Sequence, residues 1–228
     1  MQANRSLISF SEDVIAARHS VRQFTEQPIE AETKATLEAF IGECCVCSGL
    51  QMTLVTDEPD AYGRSFMAHY GKFKNVRNYI CIVGGKNDDE AVGYWGEAVV
   101  LKAQEFGLNT CWCGLTFSKR NVLCEIPAGK TLHVVIALGY GQTQGIQHKK
   151  RSLTQIAPAY SIAPEWFRRG VDCAMLAPTA INQQKFHFEY KLGNKVRAWT
   201  DHGPFSTVDL GIVKLHFEVG AGKEVEWV

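Results

Sequence analysis

The segment at residues 88–107, DDEAVGYWGEAVVLKAQEFG, decides the fold class of this chain. Its acidic start suits the positive end of a helix dipole, and Gly107 suits a helix terminus. Apolar side chains recur at helical spacing, at Val92, Trp95, Val99, Ala103 and Phe106. The segment therefore predicts a long helix that packs against a core.

Helices and strands are predicted to alternate on both sides of this segment. Further helices are predicted from Ser11 through Ala17 and at 30–48, 165–177 and 207–219. Gly49 is expected to end the helix at 30–48, and Pro164 suits the first position of the helix at 165–177. Strands are predicted at 51–56, 78–85, 131–141 and 223–228, with a hairpin at 185–199 that turns at Gly193-Asn194. Residues 142–163 are predicted to be a long excursion. This order indicates an α+β fold, that is, an α/β mixed sheet flanked by helices.

One pattern suggests an internal repeat. An apolar helix, a glycine and a strand follow one another at 97–112, and the same order recurs at 208–227. The alternative is a chance similarity between two amphipathic helices, and the sequence leaves both interpretations open.

Composition excludes several classes of protein. Lysine plus arginine and aspartate plus glutamate number 24 each, and the formal net charge of +0 excludes a polycation built for nucleic acid. No apolar run approaches the roughly 20 residues of a membrane span, and residues 1–20 lack the apolar run of a signal peptide. We therefore expect a cytoplasmic protein, without membrane or nucleic-acid partners, whose eight cysteines are reduced and mostly buried.

Metal and nucleophile motifs are poorly matched. Cys44 and Cys47 have C-x-x-C spacing inside a predicted helix, and the other close pair, Cys111 and Cys113, has no histidine at ligand spacing. No nucleophile elbow or phosphate loop occurs, and the third glycine of a dinucleotide motif is replaced by Gln144. No metal site and no catalytic side chain are predicted.

Three polar features remain. Arg18, Ser20 and Arg22 would place two guanidinium groups on one side of a helical turn with a hydroxyl between them, which suits a phosphate. A second basic run at 149–151 follows a predicted strand, and the two runs could meet around one dianion or simply be solvated. The loop at 177–186 carries the amides of Asn182 and Gln184, which suit the edge of a heterocycle, although helix capping is the alternative.

On these residues the chain resembles the FMN-dependent nitroreductase family. The family's Arg-x-Ser-x-Arg-x-Phe motif is matched by residues 18–24. Its Ala-Pro-Ser-x-x-Asn-x-Gln-Pro-Trp stretch corresponds to residues 177–186, with Thr179 in place of the serine and Lys185-Phe186 in place of Pro-Trp. A helix ending in Gly-Leu at 107–108 and the Leu-Gly-Tyr at 138–140 are also similar. The late position of the second motif resembles the putative TM nitroreductases, in which two related halves of one chain mimic a homodimer. The resemblance implies a single nitroreductase-like, flavin-binding domain over residues 1–228, with halves at 1–160 and 161–228.

The resemblance also implies a set of cofactor contacts. The phosphate and ribityl chain of FMN would be held by Arg18, His19, Ser20, Arg22, Lys150 and Arg151. Further contacts along the flavin would come from Pro178, Thr179, Asn182 and Gln184. The reactive edge of the flavin would lie near Trp112, Cys113 and Gly114, with a backbone N–H facing it.

The function implied is that of an FMN-dependent oxidoreductase. NADH or NADPH would reduce the flavin in a ping-pong cycle, and a small organic acceptor such as a nitroaromatic compound or a quinone would take the electrons. The alternatives are a flavin store or sensor without turnover, another reaction of the same family fold such as flavin destruction, dehalogenation or ene reduction, and a structural domain without flavin. The chain would act as a monomer (a pseudo-dimer) or as a homodimer.

Overall fold

The computed structural model describes residues 7–63, 68–69 and 71–228. The sequence predicts no signal peptide in residues 1–20. Residues 1–6 of that stretch lie outside the described residues. The helices are α1 Glu12–Ala17, α2 Ala31–Ser48, α3 Asp60–Gly63, α4 Asp89–Glu105, α5 Leu153–Ile156, α6 Glu165–Ala174 and α7 Ser206–Ala221. The strands are β1 Gln51–Val55, β2 Asn78–Gly84, β3 Asn109–Cys113, β4 Thr131–Gly139, β5 Phe186–Tyr190, β6 Lys195–Thr200 and β7 Glu226–Trp227.

The chain forms two compact units, each built from more than one stretch of sequence. The large-sheet unit contains Ala17–Asp88 and Val99–Ile146. The small-sheet unit contains the described residues up to Ala16, together with Asp89–Ala98 and Gln147–Val228. Helix α4 therefore contributes its first ten residues to one unit and the remainder to the other. The predicted division into halves at 1–160 and 161–228 stays a prediction, because compactness does not test whether two halves are related.

The large-sheet unit is organised around a four-stranded antiparallel sheet in the order β1-β2-β4-β3. Every residue of β2 is buried, as is the second half of β4. The continuous apolar runs of these two strands explain this, because a strand covered on both faces has no solvent side to make polar. One face packs Tyr79, Cys81, Cys111 and Val135 into a common core.

The small-sheet unit holds a three-stranded sheet in which β5 and β6 form a hairpin and β7 runs parallel to β6. Aromatic rings on the sheet pack on α6 and α7. Phe217 of α7 lies 4.8 Å from Phe188, 5.4 Å from Phe167 and 5.5 Å from Trp227, measured between ring centroids. These edge-on and tilted contacts provide much of this unit's core.

Within the small-sheet unit, α7 contacts the first part of α4 at backbone distance. A Cβ atom at Gly93 would overlap the carbonyl oxygen of Val208, and one at Gly211 would overlap the carbonyl oxygen of Glu90. Farther along the same helices, the fully buried side chains of His216 and Glu97 meet at 2.8 Å. A buried pair of this kind tolerates little displacement, because separating the two groups would break their hydrogen bond inside the core.

The structure confirms the α+β fold class and most predicted elements. Pro164 precedes α6 at the N-cap position rather than lying at the first helical position, and α6 ends at Ala174, three residues earlier than predicted. The stretch at 142–163 contains the short helix α5 and a 3₁₀ turn at Tyr160–Ile162. Helix α4 is buried around its whole circumference from residue 95 to residue 101. The single apolar face predicted from the sequence therefore underestimates how much of the helix surface is buried.

All eight cysteines are free, and the buried ones are Cys44, Cys81, Cys111, Cys113 and Cys173. Among the described residues, no helix is long and apolar enough to cross a membrane.

The close contact between α4 and α7 makes a specific prediction about stability. We expect Gly211→Ala to lower the free energy of unfolding by about 3 kcal/mol, because the added methyl group meets fixed backbone atoms. Gly42→Ala in α2 is the matched control, since its added Cβ would meet no atom within 4 Å beyond the neighbouring backbone of its own helix. The control is expected to gain about 0.5–1 kcal/mol through helix propensity. Urea unfolding of both variants checks this, and equal stabilities would contradict the close contact.

Candidate functional site

The segment Arg18–Arg22 lies in the large-sheet unit and runs beside β3. Helix α1 ends at Ala17, Ser20 forms a parallel bridge with Thr110, and the Val21 N–H donates to the Thr110 carbonyl at 2.9 Å. The predicted helical turn at this motif is therefore wrong. In an extended chain alternate residues face the same side, so the Arg-x-Ser-x-Arg spacing remains compatible with three polar groups on one side of the chain.

The charges of both arginines of this segment act on the thiol of Cys111 in β3. The pKa of the Cys111 thiol is raised, first by its hydrogen bond with Cys113 and then by burial, whereas the charges of Arg22 and Arg18 lower it. Arg18 is buried and Arg22 is exposed, so one cation is anchored within the unit and the other is accessible. Burial, and then the charge of Arg18, lower the pKa of His19, which favours its neutral form at neutral pH.

A loop after β4 packs against this segment. The side chain of Asn109, which is fully buried, accepts from the Gly141 N–H at 2.9 Å and donates to the Gln144 side chain at 3.0 Å. Gly145 has a φ of +73°, and a Cβ there would lie 2.7 Å from the Cβ of His19. These glycines thus serve close packing. In the sequence, Gln144 marks only the failure of a dinucleotide motif, and nothing signals Asn109.

The end of β3 brings the predicted residues Trp112, Cys113 and Gly114 into the same unit as Arg18–Arg22. Trp112 and Gly114 are half-buried, and Cys113 is buried with its thiol donating to the Cys111 carbonyl at 3.3 Å. The Cys113 side chain is therefore turned into the core.

The other predicted residues belong to the small-sheet unit, where Arg151 and Gln184 organise a loop. The Gln184 side chain is buried; it accepts from the Arg151 N–H at 2.9 Å and donates to the Lys149 carbonyl at 2.7 Å and to Asn182 at 2.8 Å. The Arg151 guanidinium donates to the Gln184 carbonyl at 2.9 Å. The Thr179 hydroxyl accepts from the Gln184 N–H at 3.1 Å.

This arrangement changes the interpretation of Gln184. Its amide makes contacts within the chain rather than standing free as a fork, and its contact with a heterocycle stays a prediction. Asn182 and Lys150 are exposed, whereas Pro178, Thr179 and Arg151 are half-buried.

The loop at 179–184 is strained. Ile181, Asn182 and Gln184 have φ angles of 48°, 56° and 46°, in the left-handed region that glycine favours. Each such residue costs on the order of 1–2 kcal/mol, and a β-branched residue is the least suited to it. Ile181 is nevertheless 88% exposed, so packing of its own side chain does not explain its conformation.

Sequence reasoning missed Asp209, which holds this loop from α7. Its carboxylate accepts from the Ala180 N–H at 2.9 Å and from the Gln183 side chain at 2.7 Å. Burial raises the pKa of this carboxyl to about 6, although the bonds from Gln183 and Ala180 lower it. In the sequence Asp209 reads as an ordinary acidic residue in the first turn of a helix, so no signal marked it.

Metal-ligating groups are a separate question. Within the described ranges, no group of three or more histidine, cysteine, aspartate or glutamate side chains is placed to hold a metal ion.

The strain in the loop makes a testable prediction. We expect Ile181→Gly to raise the free energy of unfolding by about 1 kcal/mol, because glycine adopts the left-handed conformation without a steric penalty. Ile181→Ala is the matched control, since it retains a Cβ and most of the strain. Chemical unfolding compares the two, and a glycine variant less stable than the alanine variant would argue against strain.

Comparisons with known proteins give the family and the fold. The profile of the putative TM nitroreductase family matches residues 12–221. A putative nitroreductase from Thermotoga maritima MSB8 shares the fold with a TM-score of 0.67 and 23% identity, over 92% of this chain and 82% of that chain. A putative nitroreductase from Desulfovibrio desulfuricans, solved in complex with FMN, has a TM-score of 0.50 and 15% identity, over 63% of this chain and 92% of that chain.

A comparison with curated proteins finds no match. The family profile nevertheless spans α1 to α7, including both motif regions. The chain therefore belongs to the putative TM nitroreductase family.

Proposed function

We propose that this chain is an FMN-dependent oxidoreductase that passes electrons from NADH or NADPH to a small organic acceptor, such as a nitroaromatic compound or a quinone. The observation that carries the proposal is the Arg18–Arg22 segment, whose backbone is hydrogen-bonded to β3 and whose two arginine charges act on the Cys111 thiol of that strand. Family membership and the FMN complex of the Desulfovibrio desulfuricans protein support the choice of flavin.

The donor set of this segment fits a phosphate group. Phosphate oxygens are bound best by charge-assisted hydrogen bonds, and guanidinium forks match them bidentately. Arg22 is exposed and can reach a ligand, Arg18 supplies a buried positive charge, and Ser20 adds a hydroxyl donor. We assign these three residues to the FMN phosphate and the neighbouring His19 to the ribityl chain.

We propose a second set of contacts from the small-sheet unit. Lys150 and Arg151 add positive charge suited to the phosphate. Pro178, Thr179, Asn182 and Gln184 are assigned to the flavin and its ribityl chain. The hydrogen bonds that the Asn182 and Gln184 amides make within the chain hold the loop in place.

Bound FMN supplies the hydride and electron chemistry. The chain would bind and orient the cofactor: Arg18–Arg22 would hold the phosphate, and the backbone at residues 112–114 would face the reactive edge of the ring. The Cys113 thiol faces the core, so we assign it no chemical step. No side chain is assigned as an acid or base. The two substrates use one open site in turn, which is a ping-pong scheme.

The phosphate assignment is tested by binding. We expect the purified protein to bind FMN, and Arg22→Ala to weaken that binding about 10- to 100-fold through the loss of a charge-assisted hydrogen bond. Riboflavin lacks the phosphate, so its affinity should be unchanged by the substitution. Fluorescence titration with both flavins measures this.

Arg77→Ala is the control for charge alone, since Arg77 is also an exposed arginine of the large-sheet unit. It should leave both affinities unchanged. An Arg22→Ala protein that loses FMN and riboflavin equally, or loses neither, would remove Arg22 from the phosphate site.

Turnover distinguishes the enzyme from a flavin store or sensor. We expect FMN-loaded protein to oxidise NADH or NADPH with a quinone or a nitroaromatic acceptor, and initial rates should give the parallel double-reciprocal lines of a ping-pong scheme. Protein that binds FMN but oxidises neither nucleotide with any acceptor of these classes would favour the store or sensor instead.

A further inference from the structure

We infer that Asp209 is a positioning residue for FMN binding, holding the loop at 179–184 in the conformation that contacts the cofactor. The inference rests on the proposed function, because it concerns a loop assigned to the flavin. Asp209 itself is 5% exposed and lies in the first turn of α7. It therefore supports the loop by hydrogen bonds and is not assigned a contact with the ligand.

The contacts of Asp209 span the strained part of the loop. One carboxylate oxygen accepts from the Ala180 N–H at 2.9 Å, and the other accepts from the Gln183 side chain at 2.7 Å. Ile181 and Asn182, both with positive φ, lie between these two attachment points. The Gln183 side chain also donates to the Pro204 carbonyl at 2.8 Å, which ties it to the segment before α7.

A strained backbone persists only where its surroundings over-determine it. Here the second anchor is the Gln184 network, in which the Lys149 carbonyl and Arg151 hold the end of the loop. Asp209 fixes the beginning and Gln184 fixes the end, so the exposed Asn182 between them has little freedom. A loop ordered before the ligand arrives spares the ligand the cost of ordering it.

The chemistry of Asp209 agrees with this role. Burial raises the pKa of the carboxyl to about 6, so the fold keeps the group in surroundings that disfavour its charge. A carboxylate is nevertheless suited to the position, because its two oxygens accept from a backbone N–H and a side-chain amide at once. Asparagine in its place retains one acceptor and presents a donor where the second acceptor was.

The test compares two substitutions at Asp209 with a matched control on the same helix. Asp209→Ala removes both bonds, and Asp209→Asn keeps an acceptor for the Ala180 N–H. Glu218→Gln is the control, because Glu218 also lies on α7 and its carboxylate accepts two hydrogen bonds, from Tyr94 and Trp227 at 2.6 Å each. The readouts are the FMN dissociation constant, the melting temperature of the flavin-free protein and the hydrogen exchange of the Ala180 amide.

We expect Asp209→Asn to weaken FMN binding about tenfold and Asp209→Ala to weaken it further, with faster exchange at Ala180 in the alanine variant. Glu218→Gln should lower the melting temperature without changing the FMN dissociation constant. If Asp209→Ala fails to fold, the asparagine variant alone carries the comparison.

Two results overturn the inference. If the unsubstituted protein binds FMN and Asp209→Asn binds it equally well, or no more weakly than Glu218→Gln does, Asp209 does not position the loop for the cofactor and the proposed function stands. If the unsubstituted protein binds no FMN, the proposed function fails and this inference fails with it.

Discussion

The backbone contact between α4 and α7 is the constraint on which the small-sheet unit depends. Gly93 and Gly211 let the two helices approach until one backbone meets the other, and the buried pair of His216 and Glu97 requires that this approach be kept. Helix α7 also carries Phe217 into the aromatic core and Asp209 to the strained loop. Core packing and loop geometry are therefore set by the position of one helix.

Much of the fold could be predicted from the sequence because its signals are local. Periodicity gave α4, Gly49 marked the end of α2, and the Gly193-Asn194 turn gave the β5–β6 hairpin. The error at Arg18–Arg22 has a simple cause. Its polar residues recur at every second position, which suits an extended chain as well as the predicted turn. The choice is made by the hydrogen bond from Val21 to Thr110, 89 residues away in the sequence.

The candidate site was predictable to the extent that its residues form motifs. The residues that hold it in place could not be predicted, because their hydrogen-bond partners are distant in the sequence. Asp209 is 29 positions from Ala180, and Asn109 is 35 positions from Gln144. The same limit applies to Gln184, because residue type does not reveal that its amide bonds to Lys149 and Arg151, which are distant in the sequence.

Each unit contains at least one buried cysteine, whose reactivity can report local unfolding of that unit. Cys173 is the cysteine of the small-sheet unit, whereas Cys81 and Cys111 lie in the core of the large-sheet unit. Buried thiols react with alkylating reagents only when local unfolding exposes them. Pulsed alkylation read out by mass spectrometry would therefore follow the breathing of each unit separately, in the natural chain and without an introduced label.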